Sequence, residues 1–288
     1  MPTRRHFLNG AAATGVALGA TSLFGALPAH AEMPVDRIQR NLTGTGYSAG
    51  TGGTLDSQTR AATMRFQADH RLVQDGKPGP VTQSVLAAMV SLVQYKAGAT
   101  MDSSFGSGTA DKVKAYQRAH GLVVDGKAGP NTMAKMGIWR APGYGNSAIG
   151  GSIRRTEVIQ RAAYWPNIGL GYSRSRYYRD LDNSKTYRTD CSGQVSNSWH
   201  ATQSYSTRTL DNISSVISKG SLLPGDALNA YDYHTVIFCG WANSARTRYY
   251  SFEESGSVGA VGREVSGYPF YSDGRNWKPR RYHKIVWG

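Results

Sequence analysis

Apolar residues recur at helical spacing through the first half of the chain and gather into strand-like runs in the second. Val35, Ile38 and Leu42 fall on one face of a helix, and "VTQSVLAAMVSLVQ" predicts another that closes one unit and opens the next. The periodicity lapses over residues 140–152, "RAPGYGNSAIGGS", whose Gly, Ser and Pro content reads as a linker. Beyond it, "IRRTEVIQRAAYW" spaces Ile153, Val158, Ile159, Ala162 and Ala163 for an amphipathic helix. The polar, Tyr-rich "GLGYSRSRYYRDLDNSKTYRTD" reads as loop, and "CSGQVSNSWHA" resumes a helix with Val195 and Trp199 four apart. "HTVIFCGW" is a β-branched and aromatic run, entered through the Pro-Gly-Asp turn of "LLPGDALNAYDY". The turn "ANSART" then leads to "RYYSFEES" as the return strand of a hairpin. Helices followed by an antiparallel hairpin predict an α+β chain.

The helical half is repetitive. "FQADHRLVQDGKPGPVT" from Phe66 aligns without a gap to "YQRAHGLVVDGKAGPNT" from Tyr116, with ten of 17 positions identical at an offset of 50 residues. Each copy predicts a helix ending near the Ala-His or Ala-Asp-His segment, a turn at Asp-Gly-Lys and a new helix entered through Gly-Pro. His70 and His120 share one repeat position beside a helix end, which suits capping better than metal binding.

Composition adds location and partners. The opening residues place Arg4 and Arg5 before a weakly apolar run, then Ala29 and Ala31, so residues 1–31 read as a signal peptide cut after Ala31. The "TRRHFL" segment resembles a twin-arginine export motif. The net charge is +14, and only two of the cations lie in the leader, so an exported product would be drawn to anionic wall polymers. The cations are scattered without a nucleic-acid motif, and no later run is long enough to span a membrane. A soluble monomer outside the membrane is the expectation, with no cofactor and no metal.

Cys191 is one of two cysteines. It opens a predicted helix behind Asp190 as N-cap, where the positive end of the macrodipole favours thiolate. A cysteine nucleophile needs a base, usually histidine. His6 and His30 fall in the leader, His70 and His120 in the repeats, and His283 in a basic run near the end. His200 is nine residues along the same helix, about 13 Å from the sulfur at 1.5 Å per residue. His234 remains, and the hairpin should bring Glu253 or Glu254 back beside it. Successive strand residues face opposite sides, so only one can orient the imidazole, and Glu253 is preferred. Cys239 lies within an apolar strand and reads as a core thiol rather than a disulfide partner.

Two resemblances follow from these motifs. Residues 35 to 138, with the "FQ…GL…DG…G..T" pattern twice, look like tandem three-helix peptidoglycan-binding modules, here placed at 32–90 and 91–139. Residues 153–288 resemble the NlpC/P60 cell-wall peptidases on "DCSGQVSNSW", "LLPGD" and "HTVIFCGW", which implies a papain-like fold. The resemblance implies Cys191 as nucleophile, His234 as base, Tyr172 of "GLGYSRS" near the sulfur, and Asp190 and Ser192 at the substrate. It departs from the family at the third residue, commonly a second histidine; a carboxylate is closer to the CHAP amidases. The implied activity is a secreted hydrolase of a peptidoglycan stem-peptide amide, the D-γ-glutamyl to diamino-acid bond. The alternatives are an N-acetylmuramoyl-L-alanine amidase, a non-catalytic wall-binding protein and an acyltransferase.

Overall fold

The computed structural model describes residues 32–140 and 147–287. The expected leader, residues 1–31, lies outside them, as do residues 141–146 of the expected linker.

Among the described residues, five helices make the first half: α1 (Val35–Gly44), α2 (Ser57–Asp69), α3 (Pro80–Ala97), α4 (Ser107–Ala119) and α5 (Pro130–Lys135). Local chemistry sets their ends. Asp56 caps α2 by accepting the Thr59 N–H at 2.7 Å, while α3 and α5 begin with proline after an extended glycine. His70 and His120 are the residues at which α2 and α4 end. His70 is buried against the Phe66 ring, and that burial pushes its pKa down to about 3. His120 is exposed with Nδ1 at 2.7 Å from the Tyr116 carbonyl oxygen.

A buried glutamine joins each helix to the next loop. The Gln67 amide donates to Asp75, to the Lys77 carbonyl and to Thr82, and its Oε1 accepts the Gly76 N–H. Gln117 repeats the pattern with Asp125, Lys127, Thr132 and Gly126. Gln94, near the end of α3, repeats it again with Asp102, Ser104, Thr109 and the Ser103 N–H. Gln39 of α1 makes the equivalent bonds to Gly53, Thr54 and Thr59 across a longer loop. The 50-residue duplication therefore contains four helix–loop units. The helix α3 runs unbroken through the expected module boundary at residues 90 and 91, serving the units on both sides.

The second half holds β1 (Ile153–Arg154), α6 (Arg155–Asn167), β2 (Tyr177–Arg179), β3 (Thr186–Arg188) and α7 (Cys191–Ser198). It continues with β4 (Ser214–Val216), β5 (Ala227–Ala230), β6 (His234–Trp241), β7 (Arg248–Ser255), β8 (Gly259–Ser266), β9 (Trp277–Tyr282) and β10 (Ile285–Val286). Six strands form an antiparallel sheet in the order β4-β9-β5-β6-β7-β8. The chain is thus α+β. The Tyr-rich segment expected to be loop contains the β2–β3 hairpin, in which Tyr178 faces Tyr187. Only Tyr187 of these strands is buried, so no alternating apolar signal announced them.

Both faces of the sheet are covered, which explains the continuous apolar run of β6. Ile237 and Cys239 join the core built with Val158, Ile159 and Val195 of α6 and α7, while Val236 and Phe238 pack with Tyr249, Phe270 and Trp277. The "LLPGD" motif ties three elements together. Asp226 is fully buried and accepts from Arg155 of α6 at 3.0 Å and from Arg281 of β9 at 2.7 Å, and Phe238 of β6 donates its N–H to the Asp226 carbonyl.

The helical half is docked on this sheet. Buried residues of α3 share one core with α6, α7 and the inner face of β6 and β7. Gly240, at φ +144, sits where an added Cβ would lie 2.3 Å from Ser91 Oγ, so α3 approaches the strand more closely than any side chain allows. Tyr95 stacks on Trp287 at 5.3 Å beneath the Lys96 ammonium, and Arg37 donates to the Ala242 carbonyl. The described end of the expected linker is also held: Gly150 donates to the His200 carbonyl at 2.7 Å. The modules are part of one packed body rather than beads on a free tether.

Candidate active site

Helix α7 begins at Cys191 because Asp190, in extended conformation, accepts the Gly193 N–H at 2.8 Å. Gly193 has a second reason: a Cβ there would meet the Arg188 carbonyl oxygen at 1.7 Å. Gly193→Ala is therefore expected to destabilise the fold by about 1–3 kcal/mol, read as a lower midpoint in urea unfolding. An unchanged midpoint would show that the helix start can shift.

His234 opens β6 and lies close enough to Cys191 for the two side chains to interact. Its Nε2 lies 3.5 Å from Glu253 Oε2 on β7, and the edges of Phe270, Trp277 and Tyr233 surround the ring. Burial pushes the imidazole toward its neutral form, but the Cys191 and Glu253 bonds and charges outweigh it and raise the pKa to about 9. Glu253 is fully buried and is held ionised against that burial by His234 and by Arg263 of β8. Ser251 faces Arg263 across β7 and β8, which puts Arg263 diagonal to Glu253 on one face. Sequence reading missed Arg263. The non-local pairing that places it leaves no motif.

Glu254 points to the other face. It is fully buried, neither carboxylate oxygen has a hydrogen-bond partner, and burial with the nearby Asp190 and Glu253 charges raises its pKa to about 8. A carboxyl whose folded pKa lies above its ordinary 4.5 costs stability increasingly as pH rises from 4.5 through 8. Glu254→Gln is expected to raise Tm by several degrees at pH 8.5 and to change little at pH 4.5. The same gain at both pH values would rule out ionisation as its cause.

Tyr172 is half-buried at the rim. The Ser173 N–H donates to the Thr189 carbonyl, pinning its loop beside the start of α7, and Arg174 Nε donates to the Tyr172 hydroxyl at 3.1 Å. Asp190 and Ser192, expected at the substrate, are turned inward instead. Asp190 caps the helix and pairs with Arg188, and Ser192 is buried, donating to Asp190 at 3.3 Å. Their hydrogen-bonding capacity is used in holding Cys191 at the helix start.

Cys191 and Cys239 are both free thiols. Cys239 is fully buried and its pKa is raised well above the ordinary value by that burial. His200 belongs to a separate polar network, with Nε2 at 3.3 Å from Asp180 and Nδ1 at 3.0 Å from Ser147 Oγ. Asp180, Asp182 and His200 could together offer ligands to a cation, but Arg161 already lies 3.4 Å from Asp180 and 2.8 Å from Asp182. His283 is exposed and bonds Ser215 at 3.0 Å.

Residues 33–86 and 91–136 match the family model described as "Putative peptidoglycan binding domain". The matches fall on the two halves of the helical region and support peptidoglycan as a partner and association with the cell wall. They stop short of Cys191, His234 and Glu253. No curated protein and no solved structure matches the chain. Among the described residues, no helix is long and apolar enough to cross a membrane.

Proposed function

We propose that the protein is an exported peptidoglycan hydrolase, its second half a papain-like domain of NlpC/P60 type that cuts a stem-peptide amide. The observation that carries this reading is the line of groups Cys191, His234 and Glu253, with the sulfur at a helix N-terminus and Arg263 behind the carboxylate. A His234 pKa raised to about 9 keeps an imidazolium beside the Cys191 sulfur at neutral pH. The thiolate adds to the amide carbonyl, and the Cys191 N–H, one of the first-turn amides a helix cannot pair internally, donates to the oxyanion. His234 gives its proton to the leaving amine as the C–N bond breaks. Water, deprotonated by His234, then cleaves the thioester and restores the thiol. The twin-arginine-like leader would deliver the chain to the wall, where the helical half holds it.

The D-γ-glutamyl to diamino-acid bond is the preferred target. A carboxylate in the third position also supports N-acetylmuramoyl-L-alanine amidase activity. Incubation with purified peptidoglycan and mass spectrometry of the soluble fragments tests both. New amino termini on the diamino acid support the endopeptidase, new termini on L-Ala support the amidase, and absence of any fragment refutes hydrolysis.

A further inference from the structure

The helical half contains a groove of about 540 Å³ that neither matched segment encloses alone. One wall is α1 with the loop at residues 50–52, and the other is the start of α4 with the loop at 125–127. The first and last helix–loop units meet there. The Phe105 ring occupies the space a Gly44 side chain would need, with ring carbons 2.2 Å from the Cβ position, and Ala128 donates to the Gly44 carbonyl at 2.7 Å. These contacts fix the floor before any ligand arrives, and the volume lies within the range of small-molecule sites, roughly 300–1,000 Å³.

We propose that this groove is a single composite site for the acidic peptide stem of peptidoglycan; the proposal rests on the wall-binding reading above. The carboxylates on its walls are already engaged. Asp36 pairs with Arg40, and Asp125 accepts from the Gln117 amide at 2.8 Å and from the Lys127 N–H at 2.9 Å. Two of the three cationic groups are less committed: Lys114 reaches the exposed Asp111 at 3.4 Å with its stem against Gly126, and Lys127 stands next to that glycine on the same wall. The α4 helix starts in the groove at Gly106 without a side-chain cap. Two ammonium groups on one wall of a largely apolar groove suit a short peptide bearing carboxylates. A sugar chain would call for an exposed aromatic face, and the aromatic residue lining the groove, Phe105, is buried against Gly44.

The test uses the full chain carrying Cys191→Ala, so that bound wall is not consumed. Binding of free stem tetrapeptide and of peptide-free glycan strands is measured by calorimetry, and binding of whole sacculi by sedimentation. Two groove variants are compared: Lys114→Glu with Lys127→Glu, and Ala110→Trp, which fills the space. Thermal unfolding, together with turnover of a small soluble peptide by the same variants with Cys191 intact, checks that the fold survives. The expected result is tetrapeptide binding that both variants weaken by roughly tenfold or more. Tetrapeptide binding unchanged in the folded variants overturns the groove while leaving the wall-binding reading in place if sacculi still sediment. Binding of the peptide-free strands but not the tetrapeptide overturns the assigned ligand. Failure of the parent to bind sacculi refutes the wall-binding reading and the groove together.

Discussion

Cys191→Ala is expected to end release of soluble fragments from purified peptidoglycan while the protein still sediments with the wall. The loss should be on the order of 10⁴-fold or more, because removing a covalent nucleophile removes the acyl-enzyme route itself. The substitution leaves the Asp190 cap, the Gly193 contact and the helical half untouched, so Tm should stay near that of the parent. Iodoacetamide gives a second readout. Cys191 should react, whereas Cys239, fully buried with its thiol pKa pushed up, should not. Fragment release that survives the substitution would refute the cysteine mechanism. An inert Cys191 with intact wall binding would favour a non-catalytic wall-binding protein.

Local signals were legible where they are self-contained. The Asp190 cap and the helix opening at Cys191 need only neighbouring residues, and β6 and β7 coincide with the strand runs read from "HTVIFCGW" and "RYYSFEES". Pairing of a hairpin follows from its turn, so the proximity of His234 and Glu253 could be inferred from spacing alone. What escaped is non-local. Strand β9 enters the sheet between β4 and β5, and β8 carries Arg263 to Glu253, neither contact having a sequence marker. The half-repeat around Gln94 was hidden because α3 is buried nearly all round, which erases the amphipathic boundary between units. The spacing of Gln, Asp eight later and Thr fifteen later, shared by Gln67, Gln94 and Gln117, was the signal that could have found it. Docking of the helical half was likewise unreadable, since it depends on small residues such as Gly240 meeting Ser91 across the fold.

Glu253→Gln should lower kcat by roughly 10²–10⁴-fold with little change in KM, because the carboxylate lies behind His234 and is itself fully buried. The signature that separates an orienting charge from mere packing is pH dependence. His234 titrates near 9 in the fold against an ordinary 6.5, so its pairing stabilises the protein fully below pH 6.5 and progressively less from 6.5 through 9. The alkaline limb of activity should therefore fall near pH 9 in the parent, where the imidazolium of the reactive pair is lost. Removing the Glu253 charge should move that limb to lower pH and flatten the loss of stability over the same window. The substitution also leaves the buried Arg263 unpaired, a cost of about 3–5 kcal/mol by itself. Glu253→Gln combined with Arg263→Met removes both charges and should recover much of Tm without recovering kcat or the position of the limb. A parent-like alkaline limb in the double variant would assign Glu253 to the stability of the strand pair and leave His234 oriented by its aromatic surroundings alone.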